Sequence, residues 1–122
     1  MQKWIFLLAG GMAGTAGRYL LGGAVHRVFG TGFPYGTLAV NVLGCLVIGF
    51  LGTLAEQRLT QETRLFWFAG LLGAFTTFSA LIYESWQLIQ KGDLALAGVN
   101  LFGSLAAGLA ALWLGHLAAS AL

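Results

Sequence analysis

The stretch Gly70-Leu-Leu-Gly-Ala-Phe-Thr-Thr-Phe-Ser-Ala-Leu-Ile-Tyr-Glu84 decides how the rest of this sequence is read. It lies inside an apolar segment long enough to cross a bilayer, yet its centre is unlike a lipid anchor. Two glycines lead into Phe75-Thr76-Thr77-Phe78-Ser79, which sets two rings and three hydroxyls side by side. A carboxylate, Glu84, follows. Gly70 and Gly73 weaken a helix, and Thr76 and Thr77 are β-branched with hydroxyls that compete for backbone hydrogen bonds. The pattern predicts a helix interruption near residues 74–77. Non-helical backbone at membrane depth survives only when buried in protein or lining a cavity. The first half-helix would end on free carbonyls, which suit a cation. The second would begin on free N–H groups, which suit an anion. Phe75 and Phe78 add ring edges of partial positive charge, against which an anion can sit.

The surrounding composition supplies the medium. Of 122 residues, 58% are hydrophobic and 8% charged, against about 25% charged in a soluble domain. This is a membrane protein. The net charge of +2 is small and the basic residues are scattered, which excludes nucleic-acid binding. Cys45 is the one cysteine, so no intrachain disulfide forms. Nineteen glycines predict close helix packing, because glycine lets membrane helices approach. Lys3 and the apolar run after it have the outline of a cleaved signal. The run continues through Arg18, however, and three more apolar segments follow, so it reads as a first membrane helix.

Four segments meet the need for about 20 apolar residues per span: about 4–29, 35–55, 64–90 and 94–119. No separate soluble domain is expected, so residues 1–122 form a single all-α transmembrane unit. Pro34 suits the start of the second helix, and Asp93 suits the N-cap of the fourth. Four spans put both termini on one side. That side carries Lys3, Arg58 and Arg64, and the other carries Arg27 and Lys91. So weak a bias leaves two readings open: one orientation chosen by other factors, or insertion both ways, with oppositely oriented copies pairing as an antiparallel homodimer.

Small and polar residues recur on single helix faces: Thr37, Asn41, Cys45, Gly49 and Thr53; Asn100, Ser104 and Gly108; Gly10, Gly14, Arg18 and Gly22. Such seams are packing surfaces in membranes. Asn41, Asn100 and Ser104 together exceed what packing requires and point to a pathway. An arginine at the middle of a span costs roughly 3 kcal/mol on insertion scales. Arg18 must therefore face the interior, a wet cavity or a partner, either in an ion pair with Glu84 or drawing an anion inward. Nucleophile–base pairs and metal-ligand clusters are absent from the sequence pattern, and His26 and His116 sit near span ends, so an enzyme is not expected.

At these residues the chain resembles the CrcB/Fluc family of fluoride channels along nearly its whole length. The matches are Gly10-Gly-Met-Ala-Gly14 with Arg18-Tyr19; Gly36-Thr37 with Asn41-Val-Leu-Gly44; Gly73-Ala-Phe-Thr-Thr-Phe-Ser79 with Glu84; and Asn100-Leu-Phe-Gly-Ser104. The resemblance implies a dual-topology antiparallel homodimer in the cell membrane (the inner membrane in a bacterium). It implies a third helix broken at mid-membrane and passive fluoride export that relieves fluoride toxicity. It also implies a structural sodium ion at the dimer centre, held by backbone carbonyls at positions matching Gly73 and Thr76. Phe78 matches the first pore ring, Ser79 the hydroxyl beside it, and Asn41 the pore asparagine. Asn100 and Ser104 match a polar track, and Arg18 matches the first-helix arginine. Thr37 adds a hydroxyl to the same expected pathway. The family often places a second pore phenylalanine three residues after the first. Here Leu81 stands there, without a positive ring edge, while Phe75 lies three residues before Phe78 instead. The alternative is a small dual-topology, proton-coupled multidrug exporter, which would want an acid in the first helix where this chain has Arg18. A third reading is a non-transporting subunit or assembly factor.

Overall fold

The structure is a computed structural model that describes the backbone of residues 1–122 and the side chains of all but Glu56 and Gln57. All regular structure among the described residues is helical. Helix α1 (Gln2–Phe29) ends at Gly30, whose φ of 80° lets its N–H reach the His26 carbonyl at 2.9 Å. Helix α2 (Tyr35–Arg58) opens after Pro34, as expected. Helix α3 covers residues 61–75, with Thr60 as N-cap and a π-helical stretch at Leu65–Leu72. Thr76 and Thr77 are extended, and helix α4 (Phe78–Gln90) resumes after them. Helix α5 (Leu94–Ser120) carries a second π-helical stretch at Val99–Gly103. Thus α3 and α4 are the two halves of one broken helix, and the interruption falls within the range that the sequence predicts.

Two details differ from the sequence reading. Asp93 occupies the N-cap position of α5, but its side chain makes no capping bond. A turn at Gly92, with φ of 85°, closes the preceding helix through Asp93 N–H to the Leu88 carbonyl at 2.9 Å. That leaves Asp93 at ψ of 60°, outside the extended conformation from which a side chain caps. The π-helical stretches were not foreseen. A π turn widens the helix by one residue and has no hydrophobic period of its own to betray it.

Among the described residues, three helices are long and apolar enough to cross a membrane: Tyr35–Ala55, Gln61–Gln90 and Leu94–Ser120. Helix α1 has 28 residues, about 42 Å at the helical rise, but its glycines and Lys3, Arg18 and Arg27 dilute its hydropathy below that of the other three. It is held by backbone approach instead. A methyl group at Gly10 would meet the Phe66 carbonyl and the Gly70 Cα, so α1 and α3 touch backbone to backbone. The same holds for α2 and α5, where Gly49 faces the Leu112 carbonyl and Gly115 faces the Leu46 carbonyl. The fold is therefore two glycine-seamed pairs, α1 with α3 and α2 with α5. Helix α4 lies against the start of α5.

The seams make one clear prediction. Gly115→Val should lower stability by about 2 kcal/mol, the cost of overpacking. Gly11→Ala, which meets nothing within 4 Å, should leave it unchanged. Thermal unfolding in detergent would separate the two, and equal melting of both variants would count against the seam.

Candidate functional site

The site is built around the break between α3 and α4. With Thr76 and Thr77 extended, the helical ladder is cut, and the exposed backbone groups need other partners. Asn41, projecting from α2, supplies them. Its Nδ2 donates to the Thr77 carbonyl at 3.0 Å, and its Oδ1 accepts from the Thr77 N–H at 2.7 Å. The side-chain amide thus replaces a peptide group. Thr77 then starts α4, its hydroxyl accepting from the Ala80 N–H at 3.2 Å. Thr76 closes α3 by donating both its N–H, at 3.1 Å, and its hydroxyl, at 2.9 Å, to the Leu72 carbonyl.

This rewiring has a consequence for two carbonyls. In an unbroken helix the Gly73 carbonyl would accept from the N–H of Thr77, and the Thr76 carbonyl from that of Ala80. Both donors are engaged elsewhere, by Asn41 and by the Thr77 hydroxyl. The Gly73 and Thr76 carbonyls are therefore released from the ladder at one point in the chain. Such oxygens are ligands for a hard cation.

Around the break the side chains divide between two concavities. A groove of about 400 Å³ gathers Asn41, Gly73, Thr76, Thr77, Phe78, Leu81 and Ser104. Phe78 stands 70% exposed on the single chain, so its own fold does not cover the ring. Ser104 is buried with no hydrogen-bond partner for its hydroxyl. A cleft of about 360 Å³ on the other side holds Arg18, His26, Thr37 and Glu84. Thr77 lines both, so the Asn41–Thr77 tie is the partition between them. In the cleft the Thr37 hydroxyl donates to Glu84 Oε1 at 2.6 Å, and Glu84 Oε2 has no partner. Arg18 shares the cleft with Glu84 but makes no hydrogen bond to it, so of the two readings of Arg18 the ion pair is not formed.

The remaining candidates are placed as follows. Ser79 is exposed on the first turn of α4, its hydroxyl 3.3 Å from that of Thr77. Leu81 lines the groove but is 5% exposed, so it is mostly wall rather than free surface. Phe75 turns away from the groove: its ring packs between α1 and α2, where methyl groups at Gly17 and Gly44 would lie 3.4 and 3.5 Å from it. The ring is half-buried. Asn100 lies behind the groove wall, fully buried, with Nδ2 donating to Ser85 Oγ at 2.9 Å. Ser85 escaped the sequence reading because a lone serine in an apolar run carries no periodic signal.

Asn41→Ala would leave the Thr77 N–H without a partner and its carbonyl with only the first helical bond of α4. A stranded group costs about 1–3 kcal/mol when buried, so this variant should melt well below the native protein, whereas Ser79→Ala should not. Similar melting of the two variants would remove Asn41 as the support of the break.

Residues 5–116 match the family described as CrcB-like protein, Camphor Resistance (CrcB). A protein of Maridesulfovibrio salexigens is 45% identical over 84% of this chain and 83% of its own length. One of Opitutus terrae is 43% identical over 98% of this chain and 93% of its own. One of Thermus thermophilus is 44% identical over 95% and 94% respectively. Each bears the name fluoride-specific ion channel FluC, the name of a channel and not of an enzyme. With its apolar helices and this match along nearly its full length, the chain is a multi-pass integral membrane protein and belongs to the CrcB family.

Proposed function

We propose that this protein is a fluoride-selective channel of the cell membrane that exports fluoride passively and relieves its toxicity. One observation carries the reading: the groove beside the helix break gathers donors and a ring edge with little else to bind. The Ser104 hydroxyl has no partner, and Asn41 Nδ2 keeps a second N–H beyond the one given to Thr77. The Phe78 ring stands free at the N-terminus of α4, where first-turn N–H groups also favour an anion. Fluoride is strongly hydrated, and an ion stripped of water without replacement would cost tens of kcal/mol in a medium of low dielectric. Asn41, Ser104 and the edge of Phe78 supply replacement donors in the groove, with the Ser79 hydroxyl on the adjoining first turn of α4. Arg18 and Thr37 would serve the cleft beyond the partition, with Arg18 attracting the anion. The chain's relatives carry the fluoride-channel name, which supports the choice of ion.

A single chain leaves the groove open on one side. We infer that a second, inverted copy covers it, giving an antiparallel homodimer with Phe78 of each chain at the shared face. The released Gly73 and Thr76 carbonyls would hold a sodium ion at the centre of that dimer. Bound there, the ion supplies a fixed positive charge that neutralises carbonyl dipoles from both chains.

Purified protein in liposomes should release fluoride once a potassium shunt balances charge, and Asn41→Asp should release it at least tenfold more slowly, because a donor becomes a negative charge in an anion path. Native protein without efflux would end the channel reading, and undiminished flux in the variant would take Asn41 out of the pore. A tag on the C-terminus should be found on both membrane faces; detection on one face alone would reject dual topology.

A further inference from the structure

We propose that Ser85 and Asn100 form a latch that sets the register of α4 against α5, making both positioning residues for the ion pathway. The proposal rests on the channel reading above. Helix α4 buries one narrow seam, Leu81, Ser85 and Leu88, and the facing start of α5 buries Ala97, Asn100 and Ser104. Ser85 is the one hydroxyl in an otherwise apolar seam, 2% exposed, and Asn100 opposite it is 0% exposed.

The hydrogen bonds have only one consistent direction. Ser85 has a single hydroxyl proton, and it goes to the Leu81 carbonyl at 2.7 Å. Its oxygen must therefore accept from Asn100 Nδ2, at 2.9 Å. This fixes the amide with nitrogen toward α4 and leaves Oδ1 buried without a partner. Stability alone does not call for such an arrangement. A buried pair of apolar groups of the same shape is nearly neutral or better, and the unpaired oxygen is a standing cost. What a single polar pair in an apolar seam supplies is register, as a buried asparagine does in a coiled coil.

Register matters here because both walls of the groove hang from this pair. Phe78 lies two turns before Ser85 on α4. Ser104 lies one turn after Asn100 on α5, at the end of the π-helical stretch that contains Asn100. A slip of α4 by one residue would carry the Phe78 ring about 1.5 Å along the axis and turn it by about 100°. Without the latch, leucine and alanine seams offer little to oppose that slip. The ties to α2, Asn41–Thr77 and Thr37–Glu84, hold one side of α4; Asn100–Ser85 is the side-chain tie to α5.

The test compares Ser85→Ala, Asn100→Leu, the double variant and Ser85→Thr in two measurements on reconstituted full-length protein. Thermal unfolding reads the pair. Ser85→Ala, which strands the buried Asn100 amide, should melt early, and adding Asn100→Leu should recover it, so that the two effects do not add. Fluoride efflux and chloride leak read the pathway. The singles and the double should lose roughly tenfold in fluoride efflux and gain chloride leak, whereas Ser85→Thr, which keeps the hydroxyl, should retain both native values. Additive melting effects, or a double variant with native efflux and selectivity, would overturn the latch. If Ser85→Ala fails to fold, the double variant and Ser85→Thr decide the matter. The unfolding cycle needs no transport, so absence of efflux from the native protein would sink the channel reading while the latch is still judged.

Discussion

The exchange of hydrogen bonds between Asn41 and the Thr77 peptide is the constraint on which the rest depends. A break in a helix within a membrane leaves backbone groups that lipid cannot satisfy. Here one amide side chain takes up both the N–H and the carbonyl of a single residue. Because Thr77 is held from α2, its hydroxyl is free to cap α4, and the Gly73 and Thr76 carbonyls lose their usual donors. The anion-favouring start of one half-helix and the cation-favouring end of the other thus arise from the same few bonds.

The glycine seams explain how so small a chain can carry this polar centre. Backbone approach between α1 and α3, and between α2 and α5, requires no bulky core. Two concavities flank the break, a groove and a cleft, and Thr77 lines both. Arg18 and Glu84 face the same cleft without pairing, so neither cancels the other by direct contact. The hydroxyl of Thr37 orients Glu84 instead.

Residues that look equivalent in the sequence take different parts. Phe75 and Phe78 are both rings beside the threonine pair, yet one is half-buried against α1 and α2 and the other stands uncovered. The extended pair between them reverses the direction in which successive side chains leave the backbone, so no single helical period relates the two. Asn41 and Asn100 are both pathway candidates in the sequence. Asn41 lines the groove, and Asn100 is fully buried with its amide donating to Ser85.

The sequence alone determined the medium, the four helical segments, the position of the break and the family, because each is written in composition, in period or in a local motif. Hydrophobic runs mark helices whatever their neighbours, and glycine followed by paired threonines weakens a helix wherever it stands. Tertiary structure decided the partners. That Asn41 serves the backbone before any ion, that Glu84 meets Thr37 and not Arg18, and that Ser85 receives Asn100 are facts about residues far apart in the chain. The π-helical turns that re-aim α3 and α5 were likewise invisible, since a single widened turn shifts a helix face without altering the apolar character of the segment that contains it.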